Sequence, residues 1–324
     1  MGALSYGSSM ATDTVLHPVY LPFSEEQLLR HFAPVGGRVG PDEAERHLTY
    51  YRESLRRLAE FETGPPPAAK DARAVVRRAR QIEKDERFWV AAALMGVFHA
   101  GDRIARLAEL LGRALGPAPP LDGLDSWEAA LDGRLHLFFE VSLPSPPAYR
   151  AWLRDHLAER AMIPYVREAA AGSRLEGATH VDALLLAEDT GFAVLFEAKV
   201  LSDVDGQVSF DVMRNQLARN IDVMLDANPG LAPPLTKRDP ERTCFVLLTP
   251  ELFKRHPHSR LYGWLLPEYR RDASALARDL THREPQGVDW RALAARLGWL
   301  TFEDCERVAP GSCRWIVEVT AEEP

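Results

Sequence analysis

Apolar residues in the first half of the chain recur at the spacing of amphipathic helices. Residues 42–61 and 87–115 carry them three and four positions apart, with Arg and Glu between them. This is the pattern of a helix that buries one face. The continuous apolar run at the start of the second segment is typical of a buried helix. We therefore expect helices from about residue 24 to residue 116.

Prolines mark the boundaries between the expected elements. Three clusters interrupt the helical pattern, at residues 65–67, 117–120 and 144–147. An apolar strand is expected at 134–143, just before the last cluster. We divide the chain there into a mainly α-helical N-terminal region, residues 1–147, and a second domain, residues 148–324. The helical region is expected to serve target recognition, contacts with a protein partner or homodimer formation.

The second half of the chain mixes helical and strand patterns. In chain order, the expected helices are 148–170, 209–227, 272–280 and 288–299, and the expected strands flank a polar turn at 188–191 and lie at 243–250 and 313–320. This order predicts an α/β fold in which helices flank a mixed β-sheet.

The polar turn at 188–191 separates two apolar runs, which predicts a β-hairpin. If the turn is centred between its second and third residues, opposed residues have numbers that sum to 379, and Asp182 faces Glu197. The two-residue period of a strand places Lys199 on the same face as Glu197. A slip of one residue in the register would separate the three side chains.

Two carboxylates on directly opposed strand residues repel each other unless a cation lies between them or one of them is protonated. Mg²⁺ prefers hard oxygen ligands of this kind and keeps several waters. A nearby ammonium group can orient an attacking water, help to deprotonate it, or stabilise charge that develops on a phosphate. Lys199 is one of only five lysines among 39 basic residues, and arginine is a poor substitute because its guanidinium is planar and keeps its proton.

Asp182, followed fifteen residues later by Glu197-Ala198-Lys199 on the adjacent strand, resembles the core motif of the PD-(D/E)XK nuclease superfamily, the restriction-endonuclease-like fold. The resemblance covers roughly residues 150–250, and Val181 stands where the family has a proline. It implies that Asp182, Glu197 and the Ala198 carbonyl bind Mg²⁺, with Mn²⁺ able to replace it. It also implies that Lys199 positions the water that attacks phosphorus.

The resemblance further implies a catalytic acid on the helix before the hairpin. We prefer Glu159, because it shares one face of the expected helix with Trp152, His156, Ile163 and Val166. Glu168, nearer in sequence to Asp182, and Glu140, near the end of the earlier strand, are the alternatives.

A polar residue on the helix after the hairpin is also implied, and Gln216 is the candidate for this catalytic position. It would hold the water, the scissile phosphate or the lysine in place. Candidate nucleic-acid contacts lie on the same helix and in the basic cluster 254–260: Arg214, Arg219, Asn220, Lys254 and Arg255. Such phosphate contacts set the register of a nucleic acid without reading its sequence. The ordinary interpretation of each is a solvated surface residue.

The composition of the chain and the motifs that it lacks argue against several classes of function. The net charge of −8 argues against a generally basic surface, and the three cysteines form no CxxC pair, which fits a reducing cytoplasm. No secretory signal is expected, and the longest apolar run, Phe88–Phe98, is too short to cross a membrane. The chain has no P-loop, dinucleotide fingerprint, G-x-S-x-G or H-E-x-x-H motif.

The expected protein is a cytoplasmic, Mg²⁺-dependent nuclease that hydrolyses phosphodiester bonds, with DNA favoured over RNA. The alternative is a non-catalytic nucleic-acid-binding or assembly module that retains the nuclease fold. In the plainest structural interpretation, Glu197 and Lys199 form only an ion pair on an edge strand.

Overall fold

A computed structural model describes residues 14–32, 41–66, 68, 72–170, 175–207 and 210–316. Among these residues, seven strands are found: β1 Val15–His17, β2 Leu21–Ser24, β3 Leu135–Leu143, β4 Thr179–Ala187, β5 Ala193–Ala198, β6 Thr243–Thr249 and β7 Leu297–Thr301. Strands β1 and β2 form a small antiparallel ribbon. The other five form one mixed sheet in the order β3-β4-β5-β6-β7.

Helices surround this sheet. Those described are α1 Glu25–Leu29, α2 Pro41–Thr63, α3 Ala72–Ala79, α4 Glu86–Phe98, α5 Arg103–Leu115, α6 Trp127–Ala130, α7 Pro147–Asp155, α8 Leu157–Arg160, α9 Pro164–Ala170, α10 Gln216–Met224, α11 Glu251–Arg255, α12 Tyr262–Arg271, α13 Ala273–Asp279, α14 Trp290–Ala295 and α15 Phe302–Val308. The coarse prediction of a mixed α/β fold, with helices on both sides of the sheet, is confirmed. No helix of the described residues combines the length and the apolar character needed to cross a bilayer.

The hairpin between β4 and β5 has the predicted register. Ala183 faces Phe196 and Leu186 faces Ala193, so each pair of numbers sums to 379. The N–H of Ala187 donates to the carbonyl of Phe192 at 2.8 Å and closes the turn. A polar turn between two buried runs was therefore enough to fix the pairing, because a slip would turn every apolar side chain to the wrong face.

Strands β3, β4 and β5 are antiparallel, whereas β5, β6 and β7 are parallel. Parallel neighbours need a crossover connection. Helix α10 supplies one between β5 and β6, and the segment α11–α14 supplies the other between β6 and β7. The central strands β5 and β6 are buried along their whole length, as expected for strands covered on both faces.

One apolar core lies on each face of the sheet. On the first face, helices α4 and α5 pack against inward-facing residues of the strands, including Phe139 and Val246. On the second face, α10 and α12–α14 pack against the alternate residues, including Leu195 and Phe245. The first core thus joins helices that precede residue 147 to strands that follow it. The functional division at that residue stays a prediction.

Two expected helices differ in the structure. The single helix 148–170 is broken into α7, α8 and α9, because His156 leaves the helical conformation at ψ 12° and Met162 has a positive φ of 52°, just before Pro164. The helix expected at 209–227 begins only at Gln216, where Asn215 caps it by accepting the N–H of Ala218 at 2.9 Å.

The last strand of the sheet was also misplaced. Residues 297–299 were assigned to a helix, but β7 is a short buried strand, which an apolar pattern alone does not distinguish from a helix. Of the strand expected at 313–320, residues 314–316 are helical and the remainder lies outside the described residues.

Candidate functional site

The ends of β4 and β5 bring Asp182 and Glu197 together. The regular ladder stops where Ala183 faces Phe196, one pair before these acids. The N–H of Ala198, which would otherwise continue the ladder, donates to Asp182 Oδ2 at 2.6 Å. Within a β-strand, the N–H and the carbonyl of one residue point toward the same neighbouring strand. The Ala198 carbonyl therefore also faces the Asp182 side, as the resemblance requires.

Glu197 is held by three side chains. Its Oε1 accepts from Lys199 Nζ at 2.7 Å and from Gln216 Nε2 at 2.5 Å, and its Oε2 accepts from Asn220 Nδ2 at 2.7 Å. Gln216 and Asn220 are four residues apart, and so share one face of α10. The Glu197 carboxylate is only 1% exposed. Of about four acceptor positions on a carboxylate, three are occupied, which leaves one for a further ligand.

Lys199 extends β5 beyond the point where β4 diverges. Its N–H donates to the carbonyl of Leu248 in β6 at 3.0 Å, which continues the parallel ladder by one residue. Its Nζ lies 2.7 Å from Glu197 Oε1 and 3.9 Å from Glu86 Oε2. Burial alone would lower the pKa of Lys199, but the charges of Glu197, Glu86 and Asp182 outweigh it and raise the pKa. The ammonium group is thus a fixed positive charge, unsuited to act as a base.

The carboxyl groups of Asp182 and Glu197 share one neighbouring lysine, Lys199, which can balance the charge of only one of them. Burial raises the pKa of Asp182 well above its usual value, and the charge of Glu197 raises it further, while Lys199 and the Ala198 N–H act in the other direction. Burial likewise raises the pKa of Glu197, despite the opposing effect of Lys199. Two buried acids whose pKa values are raised in this way are stabilised when they bind a proton or a cation.

A third acid, Glu140, stands beside this pair. Phe139 of β3 faces Ala183 of β4 and Val141 faces Val181, so Glu140 lies between these two pairs, next to Asp182. Glu140 has a φ of 53°, a left-handed conformation that costs energy for a non-glycine residue and clusters at functional sites. Burial raises the pKa of its carboxyl, and Arg87, whose Nε lies 3.2 Å from Glu140 Oε1, opposes that shift.

Glu86 is a site residue that the sequence pattern does not predict. This first residue of α4 lies beside Lys199, and its Oε1 accepts the N–H of Val200 at 3.2 Å and the hydroxyl of Ser202. Glu86 therefore ties the helical region to the loop that follows β5. The Asp85-Glu86 pair at the start of an apolar helix was the available signal, because acids favour the first turn of a helix.

Of the three acids considered for the first-helix position, only Glu140 lies near Asp182. Glu159 and Glu168 are exposed on α8 and α9, and the prediction that the fold turns Glu159 inward was wrong. The break at His156 rotates α8 away from the face that α7 buries, and Ile163, expected beside Glu159, is itself 47% exposed.

The predicted phosphate contact of Arg214 is not supported. Its guanidinium is 1% exposed, lies 2.8 Å from the Asp222 carboxylate, and stacks 3.5 Å from the ring centre of Tyr149. Arg219 is partly exposed, but it pairs with Glu176 at 2.7 Å and donates to the Ala178 carbonyl. Both arginines anchor α10 to its surroundings.

The remaining candidates lie in two places. Asn220 is buried and binds Glu197, so it positions an acid and does not face solvent. Lys254 and Arg255 are exposed on α11, which follows β6 at the same end of the sheet as Glu197. Lys254 Nζ donates to the Trp299 carbonyl at 2.9 Å. Of the five predicted nucleic-acid contacts, only Arg255 has a side chain without a polar partner among the described residues.

A cleft of about 500 Å³ opens over the acids. One wall comes from the strand ends and the loop after β5, and the other from α2, α3 and the start of α4. Its lining residues are Tyr50, Arg77, Gln81, Lys84, Asp85, Glu86, Arg87, Glu140, Asp182 and Ser202. Asp182 therefore has a direct approach from solvent, whereas Glu197 and Lys199 lie behind it.

The oxygen donors suit a hard cation. Within the described part of the chain, no three His, Cys, Asp or Glu side chains are grouped as a ready-made metal centre. Mg²⁺ needs fewer protein ligands, since it commonly binds one or two carboxylates and keeps its waters. Asp182, Glu197 and the Ala198 carbonyl meet that requirement. The burial of Asp182 and Glu197 beside each other, which raises the pKa of both, favours a cation here.

Comparison of the chain with protein-family models, curated proteins and solved structures gives no match. The resemblance to a nuclease superfamily therefore rests on the residues of the hairpin and on the order of the surrounding elements. What the site does has to be inferred from its geometry and its charges.

Proposed function

We propose that this protein is a metal-dependent nuclease that hydrolyses phosphodiester bonds of DNA, and that its sheet is the restriction-endonuclease-like fold of the PD-(D/E)XK superfamily. The observation that carries the proposal is the meeting of Asp182, Glu197 and Lys199 where β4 and β5 diverge. The antiparallel hairpin, the crossover helix α10 and the parallel strand β6 follow in the order that the resemblance implies.

Asp182, Glu197 and the Ala198 carbonyl would hold Mg²⁺, with Mn²⁺ as a substitute. When bound, the ion would polarise the phosphate and lower the pKa of a coordinated water. Asp182 faces the cleft and would meet the ion first. Glu197 is kept in one orientation by Gln216 and Asn220, so it would need no rearrangement on binding.

Lys199 would stabilise the negative charge that develops on the phosphate and would orient the attacking water. Its raised pKa keeps the ammonium charged, and a fixed charge in a water-poor site stabilises a transition state more than the same charge in water. Glu197 and Glu86 hold this ammonium from two sides. Lys199 is thus placed by Glu197 of β5, by Glu86 of α4 and, through its backbone N–H, by the Leu248 carbonyl of β6.

The charge state of the site favours an enzyme over a binding module. Three neighbouring acids whose pKa values are raised by burial weaken the folded state at neutral pH. Perturbed acids of this kind cluster at sites that do chemistry. A scaffold that used only its surface would gain nothing from retaining them.

Replacing Lys199 tests the proposal. We expect Lys199→Ala to reduce Mg²⁺-dependent plasmid cleavage by roughly 100-fold or more, the usual effect of removing one preorganised charge-stabilising group. The matched control is Lys237→Ala, because Lys237 is exposed and precedes β6 at the other end of the sheet. Circular dichroism and melting temperature should show that both variants remain folded.

Equal cleavage by Lys199→Ala and the wild type would remove the lysine from the mechanism. A wild type that binds DNA without cleaving it, with either Mg²⁺ or Mn²⁺, would instead favour the non-catalytic module.

A further inference from the structure

Two cations that line the cleft, Arg77 and Lys84, lack a polar partner among the residues that the structure describes. The other charged residues of its helical wall are engaged: Arg87 pairs with Glu140 and stacks 3.9 Å from the Tyr50 ring centre, Asp85 accepts the Tyr50 hydroxyl, and Glu86 accepts from the loop after β5. The side chains of Arg77 and Lys84 make no ion pair or hydrogen bond with any residue that the structure describes.

These two cations share one face of a continuous helical segment. Helix α3 passes directly into a 3₁₀ turn at Arg80–Lys84. Arg77, Gln81 and Lys84 are spaced by four and then three residues, so they project to the same side, and all three line the cleft. Ile82, on the opposite side of the segment, packs into the first apolar core and is 2% exposed.

The spacing suits an extended anion more than a single small one. Lys84 lies seven positions after Arg77, a rise of about 10–12 Å along a helical axis. An extended anion can therefore contact both side chains without either one bending toward the other. A chain of phosphates with a regular spacing would meet each cation in turn.

We infer that Arg77 and Lys84 bind two backbone phosphates of the DNA strand that enters the cleft toward Asp182. This inference rests on the proposed nuclease function and gives the helical wall a role in positioning the substrate. The chain has a net charge of −8, so a DNA strand needs a local group of cations that neighbouring acids do not neutralise, and Arg77 and Lys84 supply two such cations in the cleft. Phosphate contacts of this kind set position without reading bases.

The experiment compares Arg77→Gln/Lys84→Gln with Lys237→Gln/Arg291→Gln. Each double variant removes one lysine and one arginine, and the control residues are exposed and precede β6 and β7 at the far end of the sheet. Both are made in a Lys199→Ala background, with Mg²⁺ present, to suppress cleavage. Binding of a fluorescent DNA duplex is followed by anisotropy over about 50–200 mM salt.

We expect the cleft variant to lose about 10- to 100-fold in affinity at 0.1 M salt, and the slope of log K against log salt to become shallower by about 1.8, which corresponds to two lost phosphate contacts. The control should keep the affinity and slope of its parent. An unchanged slope in the cleft variant would overturn the inference, while cleavage by the wild type would leave the nuclease proposal standing.

Two further outcomes separate the proposals. If the cleft variant loses affinity as expected, but the protein with Lys199 intact never cleaves DNA, the phosphate contacts stand and the nuclease function fails. If the parent protein does not bind DNA at all, both are overturned.

Discussion

Asp182→Asn is expected to abolish DNA cleavage and, at the same time, to stabilise the metal-free protein. Loss of a charged metal ligand should reduce cleavage by roughly 10³-fold or more, since the ion supplies several kcal/mol of stabilisation to the transition state. In EDTA, the same variant should unfold at a higher temperature than the wild type. These two effects have opposite signs and one cause.

The cause is the charge that Asp182 carries next to Glu197. Its folded pKa is raised by burial and by Glu197, above the value of about 3.9 in an unfolded chain. The folded state therefore binds the proton more tightly, and stability is lost as the pH rises from the unfolded pKa toward the folded one. Asparagine removes this charge and keeps an oxygen that can accept the 2.6 Å hydrogen bond from Ala198.

At pH 7.5 we expect Asp182→Asn to add about 0.5–2 kcal/mol to the free energy of unfolding, the range found when an unfavourable charge at a functional site is removed. The gain should shrink as the pH falls toward 4 and disappear below it, because the unfolded state then becomes protonated as well. Asp155→Asn is the control, because Asp155 is exposed at the end of α7. A lower melting temperature for Asp182→Asn would show that the negative charge of Asp182 stabilises the folded protein and would contradict this prediction.

Asp222→Ala is expected to destabilise the protein by about 3–5 kcal/mol, because it leaves buried positive charge without its partner. The Asp222 carboxylate is fully buried and lies 2.8 Å from Arg214 Nη2 and 3.0 Å from His282 Nε2. It also accepts from Arg283, whose Nη2 donates to the Asp222 carbonyl at 2.8 Å. This cluster fixes α10, the helix that presents Gln216 and Asn220 to Glu197.

The effect should depend on pH. Burial tends to raise the pKa of Asp222, but the hydrogen bond from His282 and the charges of Arg214 and Arg283 lower it well below its usual range. The stabilisation is therefore complete above about pH 4 and is lost as the pH falls further. Urea denaturation at pH 7 measures the full stabilisation and at pH 3 a partial loss of it, with Asp155→Ala as the exposed control. A change below 1 kcal/mol at pH 7 would mean that neighbouring groups or water replace the carboxylate.

The part of the site that depends on local pairing could be predicted from the sequence. A polar turn between two buried runs fixes the register of the β4–β5 hairpin, and the two-residue period then assigns the face of Glu197 and Lys199. Gln216 was identified because the resemblance implies a polar residue on the helix that follows the hairpin. Each of these steps spans fewer than about 40 residues of sequence.

The part that depends on packing between distant elements could not be predicted. Glu86 and the Arg77–Lys84 face precede the hairpin by about 100 residues, and only the docking of α3 and α4 on the sheet brings them to the cleft. Arg214 looked like a surface arginine because sequence patterns do not reveal a buried carboxylate such as Asp222. Glu159 was misplaced because one break at His156 changes every face of the helix beyond it.

The most direct test of the central claim is the position of Mn²⁺ in a crystal of the wild-type protein, located by anomalous diffraction. We expect a peak within about 2.5 Å of carboxylate oxygens of both Asp182 and Glu197, and its absence from Asp182→Asn crystals grown in the same solution. A wild-type crystal with saturating Mn²⁺ and no peak at these two acids would contradict the proposal that they hold a divalent ion.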